Sequence, residues 1–135
     1  MTKSTALTGL RLLLVEDEAM VAMMIEDMLS DLGCVVVGVA GTVSKGLDFA
    51  DRQDLLLDGA LLDVNLGGET VYPVAEALAA RGVPFIFSTG YSVAGIQTRY
   101  SDVPILAKPY EMDVLQDHLL LGLCPARPRD RGLRD

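Results

Sequence analysis

Glu16 and Asp17, Asp63, Thr89 and Lys108 each stand at or just beyond the end of a short apolar run: LRLLLV, ALLDV, VPFIFS and PILA. If those runs are strands of one parallel sheet, three carboxylates, a hydroxyl and an ammonium meet on a single rim, where open α/β sheets place their sites. Clustered carboxylates repel one another, so a cation is expected among them. Hard oxygen donors of this kind suit Mg2+, which retains several waters and uses one or two carboxylates. The chemistry such a rim supports is phosphoryl transfer onto a carboxylate. Asp63 is then the nucleophile, Asp17 a direct metal ligand, Glu16 a ligand acting through a metal-bound water, and the backbone carbonyl of Asn65 a further ligand. The metal and Lys108 neutralise charge on the transferred group, and the Thr89 hydroxyl hydrogen-bonds one of its oxygens. Taken singly, each residue has a plainer reading. Asp17 could cap a helix, Thr89 before Gly90 could be turn chemistry, and Lys108 could be an ordinary surface lysine.

The elements that must position these residues alternate along the chain. Strands are expected over 10–15, 34–40, 60–64, 83–88 and 104–107, on the strength of continuous apolar and β-branched runs. Helices are expected between them over 18–32, 42–52 and 72–81, and last over 111–121. The first helix carries an inward stripe of Val21, Met24, Ile25, Met28, Leu29 and Leu32, and its stop is Gly33; Gly82 closes the third and Gly122 the last. The stretch 92–100 makes a poor helix at best. Strands apolar throughout imply a parallel sheet covered on both faces.

The bulk composition sets limits. The length fits one domain, with residues 1–8 a short N-terminal extension, 9–123 the domain, and 124–135 a disordered tail holding four arginines. A net charge of −8 argues against direct nucleic-acid binding. No apolar run reaches the roughly 20 residues of a membrane span, and no signal peptide is visible. Cys34 and Cys124 have no metal-type spacing, so reduced thiols in a cytoplasmic protein are expected.

Glu16-Asp17, Asp63 within LLDVNL, Thr89 and Lys108-Pro109 together resemble the signature of response-regulator receiver domains, over about residues 8–123. The resemblance implies a flavodoxin-like (βα)5 three-layer sandwich with a five-stranded parallel sheet of order 2-1-3-4-5. It also implies a cis peptide at Lys108-Pro109, phosphorylation of Asp63 with Mg2+, and a sensor histidine kinase or phosphotransfer protein as donor. Output would pass to a downstream protein target by binding, or through a phosphorelay, from a monomer or weak dimer. Ordinary receivers carry Tyr or Phe three residues before the lysine, as the aromatic switch; here that position is Ile105. The stretch Phe87-Ser88-Thr89-Gly90-Tyr91 is similar to the "FAT GUY" subgroup, as are LLDVNLGGE and Tyr72-Pro73-Val74-Ala75. Phe87 or Tyr91 is therefore a candidate for the switching role, against the plainer reading of Phe87 as a core aromatic. The subgroup implies kinases of the HWE or a related class.

In receivers the first helix and the loop after strand five meet the kinase. Met20 and Met23 lie off the inward stripe and should face outward there, together with Pro109 and Tyr110; exposed Met favours adaptable binding surfaces. His118, far from the strand ends, reads as a surface or packing residue. Two rivals differ in one feature each. A Mg2+-dependent aspartyl phosphohydrolase wants a second acid two residues after the nucleophile, where this chain has Asn65. A flavodoxin-type binding module wants a phosphate-cradling loop after strand one, where this chain has Glu16-Asp17-Glu18. Within the receiver reading, a phosphate sink for a kinase is the alternative to a signalling output.

Overall fold

The computed structural model describes residues 5–90 and 100–123. Five strands, β1 (Arg11–Val15), β2 (Val35–Ala40), β3 (Gly59–Asp63), β6 (Phe85–Thr89) and β7 (Ile105–Ala107), form one parallel sheet ordered β2-β1-β3-β6-β7. Counting only these strands along the chain, the order is 2-1-3-4-5, as expected. The registers Leu14↔Leu61, Leu62↔Phe87 and Thr89↔Ala107 carry the pairing across the sheet. A separate antiparallel hairpin, β4 (Asn65–Leu66) and β5 (Glu69–Thr70), follows β3. Its two-residue turn is Gly67-Gly68, with φ of 59° and 96°. Both central residues of such a turn need positive φ, which glycine adopts at no steric cost.

The alternation of strand side chains divides the interior into two cores, one on each face. Leu13, Val15, Leu62 and Phe87 pack under α2 (Val43–Ala50) and α3 (Tyr72–Ala80). Leu12, Leu14, Leu61, Ile86 and Leu106 pack under α1 (Ala19–Asp31) and α4 (Met112–Leu123). α1 buries Ala22, Ile25 and Leu29; each of the two larger side chains contributes about 1.5–3 kcal/mol by leaving water. α2 begins where the Thr42 hydroxyl accepts from the Lys45 amide at 3.1 Å, a standard N-cap bond.

Three expectations need correcting. Met24 is 51% exposed, because the buried stripe of α1 runs through Ala22 and not through the residue one place before Ile25. Gly122 does not end the last helix, which continues to Leu123; a Cβ there would stand 2.4 Å from Ile86 Cγ2 and 3.1 Å from Pro104 Cγ, so glycine allows a close approach of helix to sheet. Residues 5–7 are not outside the domain: they form a 3-10 turn whose Leu7 is fully buried with the α1 and α4 side chains. The plainer reading of Asp17 as a helix cap does not hold: the N-cap of α1 is Glu18, with no side-chain bond. The stretch 92–100, read as a poor helix at best, Cys124 and the arginine-bearing tail fall, apart from Tyr100, outside the described residues. No described helix is long and apolar enough to cross a membrane.

Candidate functional site

The carboxyl ends of the central strands deliver the site. β1 runs straight into Glu16, whose amide donates to Ala40 O at 2.9 Å, and then into Asp17. Asp63 is the last residue of β3, Thr89 the last of β6, and Lys108 follows β7 with its amide on Thr89 O at 2.9 Å. The Lys108-Pro109 peptide is cis, as the resemblance implied. The Lys108 ammonium donates to Glu16 Oε1 at 2.6 Å and to Asp63 Oδ2 at 3.1 Å. Asp63 Oδ1 accepts from the Asn65 amide at 3.3 Å, and Glu16 Oε2 from the Glu18 amide at 3.3 Å. Glu16, Asp63 and Thr89 are all buried.

One ammonium thus serves two buried carboxylates, and the count leaves negative charge over. Burial lifts the Glu16 carboxyl above its ordinary value; the Lys108 bond works against this, and the charge on Asp63 adds to it. Burial alone would lower the Lys108 pKa, but the bonds to Glu16 and Asp63 outweigh that and raise it. The lysine is therefore held as the cation, and the pocket still favours more positive charge. Immediately outside lies an open cavity of about 580 Å3, lined by Asp17, Glu18, Asp63, Asn65, Gly67, Gly68 and Lys108 among others. Carboxylate oxygens of Glu16, Asp17 and Glu18 lie within 4.8 Å of one another on its β1 side. Charge excess and an all-oxygen donor set fit a hard divalent cation such as Mg2+. Glu18 was not among the candidates from sequence, although it is the third acid of the run Glu16-Asp17-Glu18. The Asn65 side chain accepts from the Gly68 amide at 3.1 Å, which fixes the hairpin turn beside Asp63.

Two further groups lie close by. Met20 and Met23 are 84% and 63% exposed. Beside them a small cavity of about 110 Å3, nearly all apolar, lies between Val21, Met24 and Ile25 of α1 and Lys108, Pro109 and Tyr110. On the other face Phe87 is fully buried in an aromatic group. It meets Tyr72, Phe85 and Tyr100 at ring centroid distances of 6.0, 5.5 and 5.3 Å, and Tyr72 stacks on Tyr100 at 5.2 Å. Tyr72 and Tyr100 in this role were not anticipated. His118 is partly buried, with its ring Nδ1 2.9 Å from Val114 O.

No family model and no curated protein matches the chain. Solved structures do. SdrG from Sphingomonas melonis Fr1 is 47% identical, with a TM-score of 0.73, over 87% of this chain and 98% of that one. Its BeF3-activated conformation, described for Pseudomonas melonis Fr1, is 45% identical over the same shares with a TM-score of 0.71. The response regulator PhyR from Brucella abortus is 26% identical over 88% of this chain and 50% of that one, with a TM-score of 0.71. The receiver domain of the sensor histidine kinase PA1611 from Pseudomonas aeruginosa PAO1, with magnesium in its active-site cleft, is 28% identical over 84% and 96%, with a TM-score of 0.68. The chain belongs to the response-regulator receiver family.

In this receiver, Glu16 and Asp63 are each in direct contact with Lys108, and Asp17 and Asn65 line the cavity with Asp63 and Lys108. Thr89 is buried at the end of β6, where its carbonyl is tied to Lys108. Pro109 and Tyr110 face Val21, Met24 and Ile25 of α1 across the small apolar cavity, and Met20 and Met23 are exposed on the same helix. Tyr91 lies outside the described residues.

Proposed function

We propose that Asp63 is the phosphoacceptor of this receiver and that the cavity in front of it is where phosphoryl donor and Mg2+ meet. The observation carrying this is the state of the Asp63 carboxylate: buried, pinned at Oδ1 by the Asn65 amide and at Oδ2 by Lys108, and open to the cavity. Such fixing holds the nucleophile in one orientation before the donor arrives. An Asp63 oxygen attacks phosphorus in line; the O–P bond forms as the P–N bond to a donor phosphohistidine breaks, and the imidazole leaves with that electron pair. Lys108 then neutralises charge on the phosphoryl oxygens and the Thr89 hydroxyl donates to one of them. Mg2+, held by Asp17, Asp63 and the Asn65 carbonyl with Glu16 acting through water, supplies further charge neutralisation when bound.

The donor is a sensor histidine kinase, of the HWE or a related class, or a phosphotransfer protein. The exposed Met20 and Met23, joined by Met24, with Pro109 and Tyr110 form its docking edge; adaptable thioether side chains beside the acid pair suit a helical partner. Phosphorylation is read by a downstream protein and the chain turns over no separate substrate, in a cytoplasmic setting that suits the buried, reduced Cys34 side chain. Against the phosphohydrolase reading stands Asn65, an amide engaged in the hairpin turn where a proton-shuttling acid would be needed. The test is incubation with Mg2+ and acetyl phosphate followed by intact-mass analysis and peptide mapping. One phosphoryl group on Asp63 is expected; label that survives Asp63→Asn refutes the assignment.

A further inference from the structure

Among the described residues, the Tyr110 hydroxyl oxygen is the one buried side-chain nitrogen or oxygen atom with no hydrogen-bond partner. A buried donor left unmade costs stability, so such a group calls for an explanation. Its surroundings narrow the choice. Tyr110 lies two residues beyond Lys108 and packs beneath α1 with the Ile25 core. Burial raises its pKa, and the charges on Glu16 and Asp63 raise it further, so the hydroxyl keeps its proton and sits in the field of both carboxylates without bonding to either.

The same two carboxylates share Lys108. In the unphosphorylated chain Glu16 Oε1 is held by that ammonium at 2.6 Å, and its other oxygen only by the long Glu18 amide contact. A phosphoryl group on Asp63 adds oxygens that compete for the same ammonium. As Lys108 turns to them, Glu16, with its side chain 1% exposed, loses its one short direct bond; Mg2+ would reach it only through a water, and a buried carboxylate without a direct charged or hydrogen-bonding partner is unfavourable. We propose that the Tyr110 hydroxyl is the reserve donor to Glu16, idle in the unphosphorylated protein and engaged once Lys108 has turned to the phosphoryl group. Tyr110 is thus a positioning residue that lets one lysine leave a buried carboxylate. The inference rests on the Asp63 phosphoacceptor reading.

A donor used in only one of two states has an unusual signature, which a merely structural tyrosine lacks. Tyr110→Phe removes an unpaired hydroxyl from the resting protein and a charge-assisted hydrogen bond from the activated one. The urea midpoint of the resting protein should stay the same or rise. Affinity for beryllofluoride in the presence of Mg2+ should fall roughly tenfold to a hundredfold, the range expected for a hydrogen bond to a charged group. In a Glu16→Ala background, where the acceptor is gone, Tyr110→Phe should leave beryllofluoride affinity unchanged. Beryllofluoride binding within twofold of wild type in Tyr110→Phe overturns the inference. So does a drop in resting stability that accounts for the lost affinity, or an undiminished effect in the Glu16→Ala background. If the wild type takes neither beryllofluoride nor a phosphoryl label on Asp63, the phosphoacceptor reading itself fails, and the inference falls with it.

Discussion

Lys108→Met isolates the electrostatics on which the site depends. Among the described residues the ammonium is the only cation bonded to Glu16 and Asp63, whose side chains are 1% and 8% exposed. At an effective dielectric of about 20, unit charges 3–4 Å apart attract by roughly 4–5 kcal/mol. Removing one member of such a buried pair typically costs about 3–5 kcal/mol, because the other charge is left uncompensated. Methionine keeps most of the aliphatic volume, so little of the loss comes from packing. The sign of the pH dependence follows from the shifts. Lys108 has a raised pKa in the folded chain, so its contribution is complete below the ordinary value of 10.5 and is lost as pH rises through the folded value. Glu16 is also raised, so its ionisation weakens the fold as pH climbs from about 4.5 through the folded value. Without Lys108 that carboxyl is driven higher still. The loss in Lys108→Met should therefore be about 3–5 kcal/mol at pH 8 and clearly smaller at pH 5.5, which stays above the isoelectric point near 4.5. Urea titrations followed by far-ultraviolet circular dichroism at the two pH values provide the test. An equal loss at both, or none at either, refutes the electrostatic account.

Three other outcomes test neighbouring parts of the argument. Mg2+ at about ten times its dissociation constant should raise wild-type stability by about 1.4 kcal/mol, and Asp17→Asn should lose most of that gain in thermal melts. Gly122→Ala should lower the urea midpoint despite alanine's advantage of about 1 kcal/mol in a helix. Its Cβ would stand 2.4 Å from the stiff, buried Ile86, and overpacking costs about 1–3 kcal/mol. Tyr100→Ala should cost about 3–5 kcal/mol and diminish the near-ultraviolet dichroism of the stacked rings, measured by chemical denaturation and spectroscopy.

The rim of acids, hydroxyl and lysine was legible in the sequence because its logic is local. Each residue follows an apolar run long enough to be a strand, and parallel sheets gather strand ends on one side. The hairpin at Asn65–Thr70 was legible too, since Gly67-Gly68 between short segments is a hairpin signal, yet it was not anticipated. What could not be read locally was packing between distant elements. Tyr72 and Tyr100 stack across twenty-seven intervening positions, and no periodicity reports that. Gly122 was misread for the same reason: a glycine that stops a helix and one that lets a helix approach a sheet look alike until Ile86 is placed beneath it. Met24 was misplaced because a helical stripe has edges, and adjacent residues 100° apart can fall on either side of one.

The position of Ile105 joins these observations. It pairs in register with Phe87 and is only partly buried against the same core, so the strand that ordinarily carries the receiver's aromatic switch presents an aliphatic side chain here. The aromatic mass lies one strand over and beyond it: Phe87 on β6, flanked by Phe85, Tyr72 and Tyr100. Phe87 and Thr89 are two residues apart on one strand and so lie on the same face. Thr89 thus ends a strand whose preceding side chain on that face is wedged among three rings. Offset-stacked and edge-to-face pairs each contribute about 0.5–1.5 kcal/mol beyond burial, comparable to the coupling energies of about 1–3 kcal/mol by which one site biases another. Among the described residues these aromatic side chains therefore gather on β6, α3 and at Tyr100, around the residue that Ile105 pairs with, and not on β7 itself.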